Sequence, residues 1–314
     1  MGFPLVIWGS SDFTVRLLDG LEERGRIPAG VVTVADRPAG RGLKNRPTPV
    51  SRWAEARKDV KLLKMVDPRD PGELERVRSL GGDMGIIASF GRILPPGYLK
   101  AYPLGFVNVH PSLLPELRGA APIQRAIMWG YGRTGVTLAY LDEGMDTGDI
   151  IEQREEGIAP EDDAAALEEK LTGKALEMLL EVLVRLERGE RLEGRPQPRE
   201  GVTYAPALRK EEFEIDWNAP RETIRNKVRA LSPRPGAHTH MRGRRLRVLR
   251  CIPVELAAET PGTLRVIGKE RLAVHAQDGA LEIITLQPEG SRAMSAGEFL
   301  RGYHPGDGEL LSRA

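Results

Sequence analysis

Through its first 141 residues the chain repeats one rhythm, a short apolar run followed by a helical stretch; after Val202 that rhythm is replaced by another. Leu5 to Trp8, Val31 to Val34, Met84 to Ala88 and Phe106 to Val109 read as buried parallel strands, and Thr137 to Leu141 as a further one. Between them Asp12 to Arg24, Pro49 to Arg57, Pro71 to Leu80 and Pro122 to Trp129 read as helices, several introduced by Asp or Pro. This alternation predicts an α/β domain with a Rossmann-like, doubly wound parallel sheet and a site at the carboxyl ends of its strands. A long helix is expected over Asp163 to Arg188, followed by the polar, Pro- and Gly-rich stretch RGERLEGRPQPREG. Beyond a last helix near Arg221 to Ala230 come short alternating segments, LRVLRCIPV, GTLRVIG, RLAVHA and ALEIITL, the pattern of a small β-barrel. A length of 314 residues suits two domains, and the expected division is 1–189, a linker over 190–205, and 206–314.

Composition narrows what such a chain does. With 46 basic and 45 acidic residues and 40% hydrophobic residues it reads as a globular protein, and no apolar run approaches the roughly 18 residues of a membrane span. The opening MGFPLVIWGSSDF enters strand-like residues without a basic leader, so a cytoplasmic location is expected. One cysteine, Cys251, excludes an internal disulfide, and its apolar neighbours mark it as core filler. No HExxH pair occurs among the five histidines, which disfavours a metal enzyme. Residues 201–314 hold 18 basic and 14 acidic residues against 28 and 31 before them, so the second domain leans toward an anionic partner.

Three motifs fall at the expected functional edge. In VNVHPSLLPELRGAAPIQ, Asn108 and His110 stand two apart at the end of a strand and therefore share a face. Directly after the next strand, LDEGMDTGDI supplies four carboxylates within eight residues, any of which could reach back to the imidazole. Singly, His110 reads as a satisfied structural histidine, Asn108 as a strand-end cap and the acidic loop as a solvated turn. Together they offer two hydrogen-bond donors for a developing oxyanion and a carboxylate to orient the histidine. No Ser or Cys stands out as nucleophile, so the attacking group belongs to a substrate, and acyl transfer between two bound substrates is implied. The third motif, DRPAGRGLKNRPTPV from Asp36 to Val50, reads either as a solvated loop or as a cationic arm for phosphates. The turn GSSDF after the first strand lacks the second and third glycines of GxGxxG, and no Walker loop is present, so a dinucleotide is not expected.

N-x-H followed by SLLP, RGAAPIQ and DEGMDTGD resembles the 10-formyltetrahydrofolate-dependent formyltransferases, and the similarity extends through DRPAGRG, VTYAPAL and LQPEGSRAMSAGEFL. That resemblance implies a catalytic trio of Asn108, His110 and Asp146, with 10-formyltetrahydrofolate as formyl donor and no metal. The acceptor it implies is the α-amino group of initiator methionyl-tRNA. It places the folate near Phe90, Gly91, Arg92, Ile93, Leu94 and Pro95, near Ser112, Leu113, Leu114 and Pro115, and near Asp142. For the transfer RNA it points to Arg37, Arg41, Lys44 and Arg46 in the basic segment, with Arg41 foremost. The second domain resembles the family's barrel, which is similar to the oligonucleotide-binding (OB) fold, where Arg242, Arg244, Arg245 and Arg247 would meet phosphates, only some of them from one face. A monomer is implied.

Two departures stand out. The family's GTPDFA turn reads GSSDFT here, and its basic-aromatic pair after SLLP reads Glu116 and Leu117. Three alternatives share the trio or the scaffold: a glycinamide ribonucleotide formyltransferase, a formyl-folate hydrolase, and a catalytically silent RNA-binding protein. The first ordinarily lacks both the basic segment and the trailing barrel.

Overall fold

The computed structural model describes residues 3–39 and 44–312. Two compact units emerge, Met1–Pro122 with Thr134–Gly157 and Glu168–Pro206, and Ile123–Arg133 with Ile158–Leu167 and Ala207–Ala314.

Among the described residues the first unit has nine strands in chain order: β1 (Leu5–Trp8), β2 (Gly30–Val34), β3 (Arg37–Ala39), β4 (Lys44–Arg46), β5 (Lys61–Met65), β6 (Met84–Ile87), β7 (Phe106–His110), β8 (Arg133–Tyr140) and β9 (Ile150–Gly157). Seven of them form one sheet in the order β5-β2-β1-β6-β7-β8-β9, while β3 and β4 pair as a separate antiparallel hairpin inside the basic segment. From β5 to β7 every pairing is parallel. The strand expected from Thr137 runs antiparallel to β7 instead, with Tyr140 opposite Val107 and Thr137 opposite His110. An apolar run does not encode strand direction, so nothing in it could have shown this. The edge strands β5 and β9 were not anticipated at all: KLLKM and IIEQREEG carry the charged residues by which sheet edges discourage further pairing.

Helices α1 (Asp12–Glu22), α2 (Pro49–Glu55), α3 (Pro71–Arg78), α4 (Pro122–Met128) and α5 (Ala164–Glu187) fall where expected. The Thr48 hydroxyl and the Asp70 carboxylate accept the free N–H groups of Ser51 and Gly72, and a proline opens both α2 and α3. Trp8 centres the core under the sheet, met edge-on by Phe90 and Phe106 at centroid distances of 5.2 and 5.3 Å. Truncating so buried an aromatic costs about 3–5 kcal/mol.

In the second unit α6 (Arg221–Leu231) is followed by β10 (Ala237–Met241), β11 (Arg244–Val254), β12 (Leu264–Ile267), β13 (Arg271–Ala276), β14 (Gly279–Pro288), β15 (Met294–Ser295) and α7 (Ala296–Tyr303). The sheet is antiparallel, β10-β11-β14-β13-β12 with β15 on β14. Its ends are drawn together by the last residues of the chain, Ser312 bridging to His240 and Leu310 to Thr263, which gives it a barrel character. Leu246, Val248, Leu272, Ile283 and Phe299 fill the interior. Cys251 lies among them, and burial pushes its thiol up to about 12, so it is filler. Arg125 of α4 belongs to this unit: buried, it forks onto both oxygens of Glu212 at 2.6 and 3.0 Å. That guanidinium holds the Glu212 carboxyl down at about 2.

Candidate active site

Strand β7 ends at the carboxyl edge of the sheet, where its two-residue period turns Asn108 and His110 to one face. His110 is buried, and its Nε2 lies 2.9 Å from the Leu117 carbonyl oxygen. A carbonyl only accepts, so Nε2 carries the hydrogen and Nδ1 is the ring atom left to take or give a proton. Nδ1 faces Asp146 Oδ1 at 3.5 Å. The same oxygen accepts a hydrogen bond from Asn108 Nδ2 at 2.9 Å, while Asp146 Oδ2 accepts one from the Gly119 N–H at 2.8 Å. Of the four acidic residues in the loop, Asp146 is thus the one brought to Asn108 and His110.

Two unusual backbone segments make this meeting possible. Residues 111–121 fold back on the histidine, with Leu117 at φ 59° and Gly119 at φ 119°. A Cβ on Gly119 would also come within 2.9 Å of the Ala205 carbonyl, so glycine is required twice over. Asp146 is itself left-handed, at φ 54°. The chain past it closes tightly: a Cβ on Gly148 would overlap the Tyr140 carbonyl at 1.9 Å. The departure at Glu116 and Leu117 leaves this arrangement whole, because the Leu117 carbonyl serves the histidine and the Glu116 carbonyl accepts from the Ser112 hydroxyl at 2.6 Å.

Residues that sequence reasoning missed hold the loop in place. Thr203 accepts the Leu117 N–H on its hydroxyl and the Arg118 N–H on its carbonyl, and Ala205 donates to the Arg118 carbonyl at 2.7 Å. Gln197 donates to the Asp146 and Gly148 carbonyls, both at 2.8 Å. All three lie in or just after a stretch whose composition reads as a linker, and which is part of the first unit. The one available signal was VTYAPAL, noted only as a motif.

The segment expected to meet the folate leaves β6 beside the site, since Ile87 pairs with Asn108. Its members differ. Phe90 and Leu94 are core residues, Pro95 is half-buried, and Gly91, Arg92 and Ile93 are exposed. Phe90 can therefore offer a ligand only its backbone. Ser10, in the departing GSSDFT turn, donates to the Phe90 carbonyl at 3.4 Å and accepts the Val34 N–H, tying this segment to the first two strands. Ser112 is fully buried, Leu114 and Pro115 are buried and Leu113 is half-buried; Asp142 is exposed and caps its own loop through Gly144 N–H and the Thr147 hydroxyl.

Among the cationic candidates, Arg37 and Lys44 lie on the β3–β4 hairpin and Arg46 is exposed there, while Arg41 falls outside the described residues. In the second unit Arg242 is spent on Glu309, with Nε and Nη2 at 2.8 and 2.7 Å from its two oxygens. Arg245 and Arg247 share the outward face of β11, since Leu246 and Val248 point inward, and Arg244 is exposed at the strand's start. Beside them, His240 is opposite Arg245 and His238 opposite Arg247. Burial and the Arg245 charge lower the pKa of His238. Neither histidine had been anticipated there.

The chain matches the family model described as formyl transferase over residues 4–183 and that described as formyl transferase, C-terminal domain, over residues 207–304. It is 40% identical to the methionyl-tRNA formyltransferase of Thermus thermophilus over 310 residues, covering 98% of this chain and 99% of that one. The methionyl-tRNA formyltransferase of Symbiobacterium thermophilum is 40% identical over 303 residues, 95% of this chain and 92% of that one. Among solved structures, HypX from Aquifex aeolicus in complex with tetrahydrofolic acid superposes with a TM-score of 0.67 at 23% identity, over 96% of this chain and 48% of that one. The methionyl-tRNA formyltransferase from Clostridium thermocellum gives a TM-score of 0.54 at 18% identity, over 80% and 93%. At those identities the two structures speak to the fold.

Proposed function

From the premise that the chain belongs to the methionyl-tRNA formyltransferase family, we propose that it moves the formyl group of 10-formyltetrahydrofolate to the α-amino group of initiator methionyl-tRNA. The observation that carries this reading is the convergence of Asn108, His110 and Asp146 at the carboxyl edge of the sheet, with one carboxylate oxygen shared between the amide and the imidazole. The amine attacks the formyl carbon, a new C–N bond forms, and negative charge gathers on the formyl oxygen. Asn108 has a second amide hydrogen beyond the one given to Asp146, and it is the donor for that oxygen. His110 Nδ1, with its ring fixed from behind by Leu117, carries the proton lost by the amine toward N10 as the C–N10 bond breaks. Asp146 steadies the charge that passes through the ring.

The pterin would slot against the exposed backbone of Gly91 and Arg92, beside Asn108, and against the Ser112–Pro115 turn. The basic segment with Arg37, Arg41, Lys44 and Arg46 would engage the acceptor end of the transfer RNA, and the Arg244, Arg245 and Arg247 face would hold phosphates farther along it. Arg41→Ala should lower kcat/KM for the transfer RNA about tenfold; an unchanged value would remove the basic segment as a reader. A cytoplasmic monomer fits this role.

Incubation of the purified protein with 10-formyltetrahydrofolate and, separately, charged initiator methionyl-tRNA, glycinamide ribonucleotide or water tests the reading. Formylation of methionyl-tRNA alone supports it. Transfer to the ribonucleotide or to water would keep the trio and overturn the acceptor.

A further inference from the structure

Asp146 occupies a left-handed backbone that a non-glycine residue enters at a cost, and something must hold it there. Gln197 does so from 51 residues away: its amide nitrogen donates to the carbonyls of Asp146 and Gly148, both at 2.8 Å, on either side of the tight turn. Its amide oxygen is gripped in turn by Arg118, through Nε at 3.2 Å and Nη2 at 2.6 Å. This grip also fixes which way the amide faces, since a guanidinium only donates. Arg118 is 8% exposed, and its own backbone is pinned by Thr203 and Ala205.

Arg118 stands between the two residues that touch the catalytic side chains. The carbonyl before it, from Leu117, fixes His110, and the N–H after it, from Gly119, holds the Asp146 carboxylate. One loop thus grips His110 and Asp146 directly, and through the Arg118 side chain and Gln197 it grips the backbone of Asp146 a second time.

We propose that Gln197, oriented by Arg118, is a positioning residue for formyl transfer, holding Asp146 in the left-handed turn that lets its carboxylate face Asn108 and His110 together. The inference rests on the formyltransferase reading. Displacing a reacting group by about 1 Å costs on the order of 100-fold in rate, so the effect should fall on kcat and spare KM.

The test is Gln197→Glu, which keeps an acceptor for Arg118 but turns two donated hydrogen bonds into oxygen facing oxygen, with Gln197→Met as an uncharged variant of similar size. Each is measured in single turnover on whichever acceptor the wild-type protein formylates, in the wild-type and in the Asp146→Ala background. Wild-type failure on every acceptor would strike the formyltransferase reading, whereas the variants strike the positioning role. The expected result is a kcat loss of about 10- to 100-fold for both variants, KM values within about twofold, and a loss that shrinks below about threefold once Asp146 is gone. Equal losses in both backgrounds would overturn the proposal, as would an unchanged kcat in either variant that folds.

Discussion

Two polar surfaces, the edge of the first sheet around β7 and the outward face of β11, are held in opposite ways. Around β7 in the first unit, the polar groups are fixed by close partners: His110 by the Leu117 carbonyl, Asp146 by the Gly119 N–H, Asn108 by the Asp146 carboxylate, the turn behind by the Gln197 side chain. On β11 in the second unit, Arg245 projects from the strand and Arg247 donates to a neutral Gln287 oxygen at 3.3 Å. Oxyanion stabilisation requires donors that are already in place when charge develops, because reorganising them would consume the benefit. Phosphate contact tolerates mobility, since its energy comes from charge and released counterions. On the proposed function, the rigid and the loose polar surface serve different tasks.

The largest expected effect tests the rigid half. His110→Ala and Asp146→Ala should each slow transfer by about 100- to 10,000-fold while circular dichroism shows the fold retained; near-normal turnover in either would dissolve the contrast.

The second effect concerns stability. Glu212 has its folded pKa depressed to about 2 from an ordinary 4.5, so its pair with Arg125 contributes fully above 4.5 and is lost as pH falls toward 2. The linkage amounts to about 3 kcal/mol, and Glu212→Gln should remove that acid dependence. An acid unfolding curve identical in wild type and variant would show that the pair contributes nothing.

A smaller effect is expected on the loose half. Arg245→Ala with Arg247→Ala should weaken transfer RNA binding a few-fold at low salt and flatten the slope of log K against log salt by about 2, with kcat untouched. An unaltered slope in filter-binding titrations would place the phosphates elsewhere. Smallest of all is Arg242→Ala: with Nε and Nη2 on Glu309, affinity should stay within about twofold, and a large loss would restore Arg242 to the binding face.

Sequence and structure diverge along the same line. The parallel strands β1, β2, β6 and β7 were legible because buried strands are continuously apolar, and Asn108 and His110 because a two-residue spacing fixes a shared face. Asp146 was found through a motif, since four acids in one loop gave no local reason to prefer it. Direction of β8 and existence of β5 and β9 were hidden, the one because period carries no polarity, the others because edge strands are polar. Gln197, Thr203 and Ala205 were invisible for a different reason: their bonds reach across 49 and more residues, and no local pattern announces a residue whose partners are distant carbonyls and amides. The arginines from Arg242 to Arg247 were legible as a set, but that Arg242 is taken up by Glu309, far along the chain, was not.

The division between chemistry and binding is tested most directly by single-turnover formyl transfer at saturating methionyl-tRNA, with His110→Ala and the Arg245→Ala, Arg247→Ala pair measured side by side. The first should fall by at least about 100-fold and the second should remain within about twofold of wild type. Comparable losses in both, under saturation, would contradict a catalytic centre confined to the edge of the first sheet.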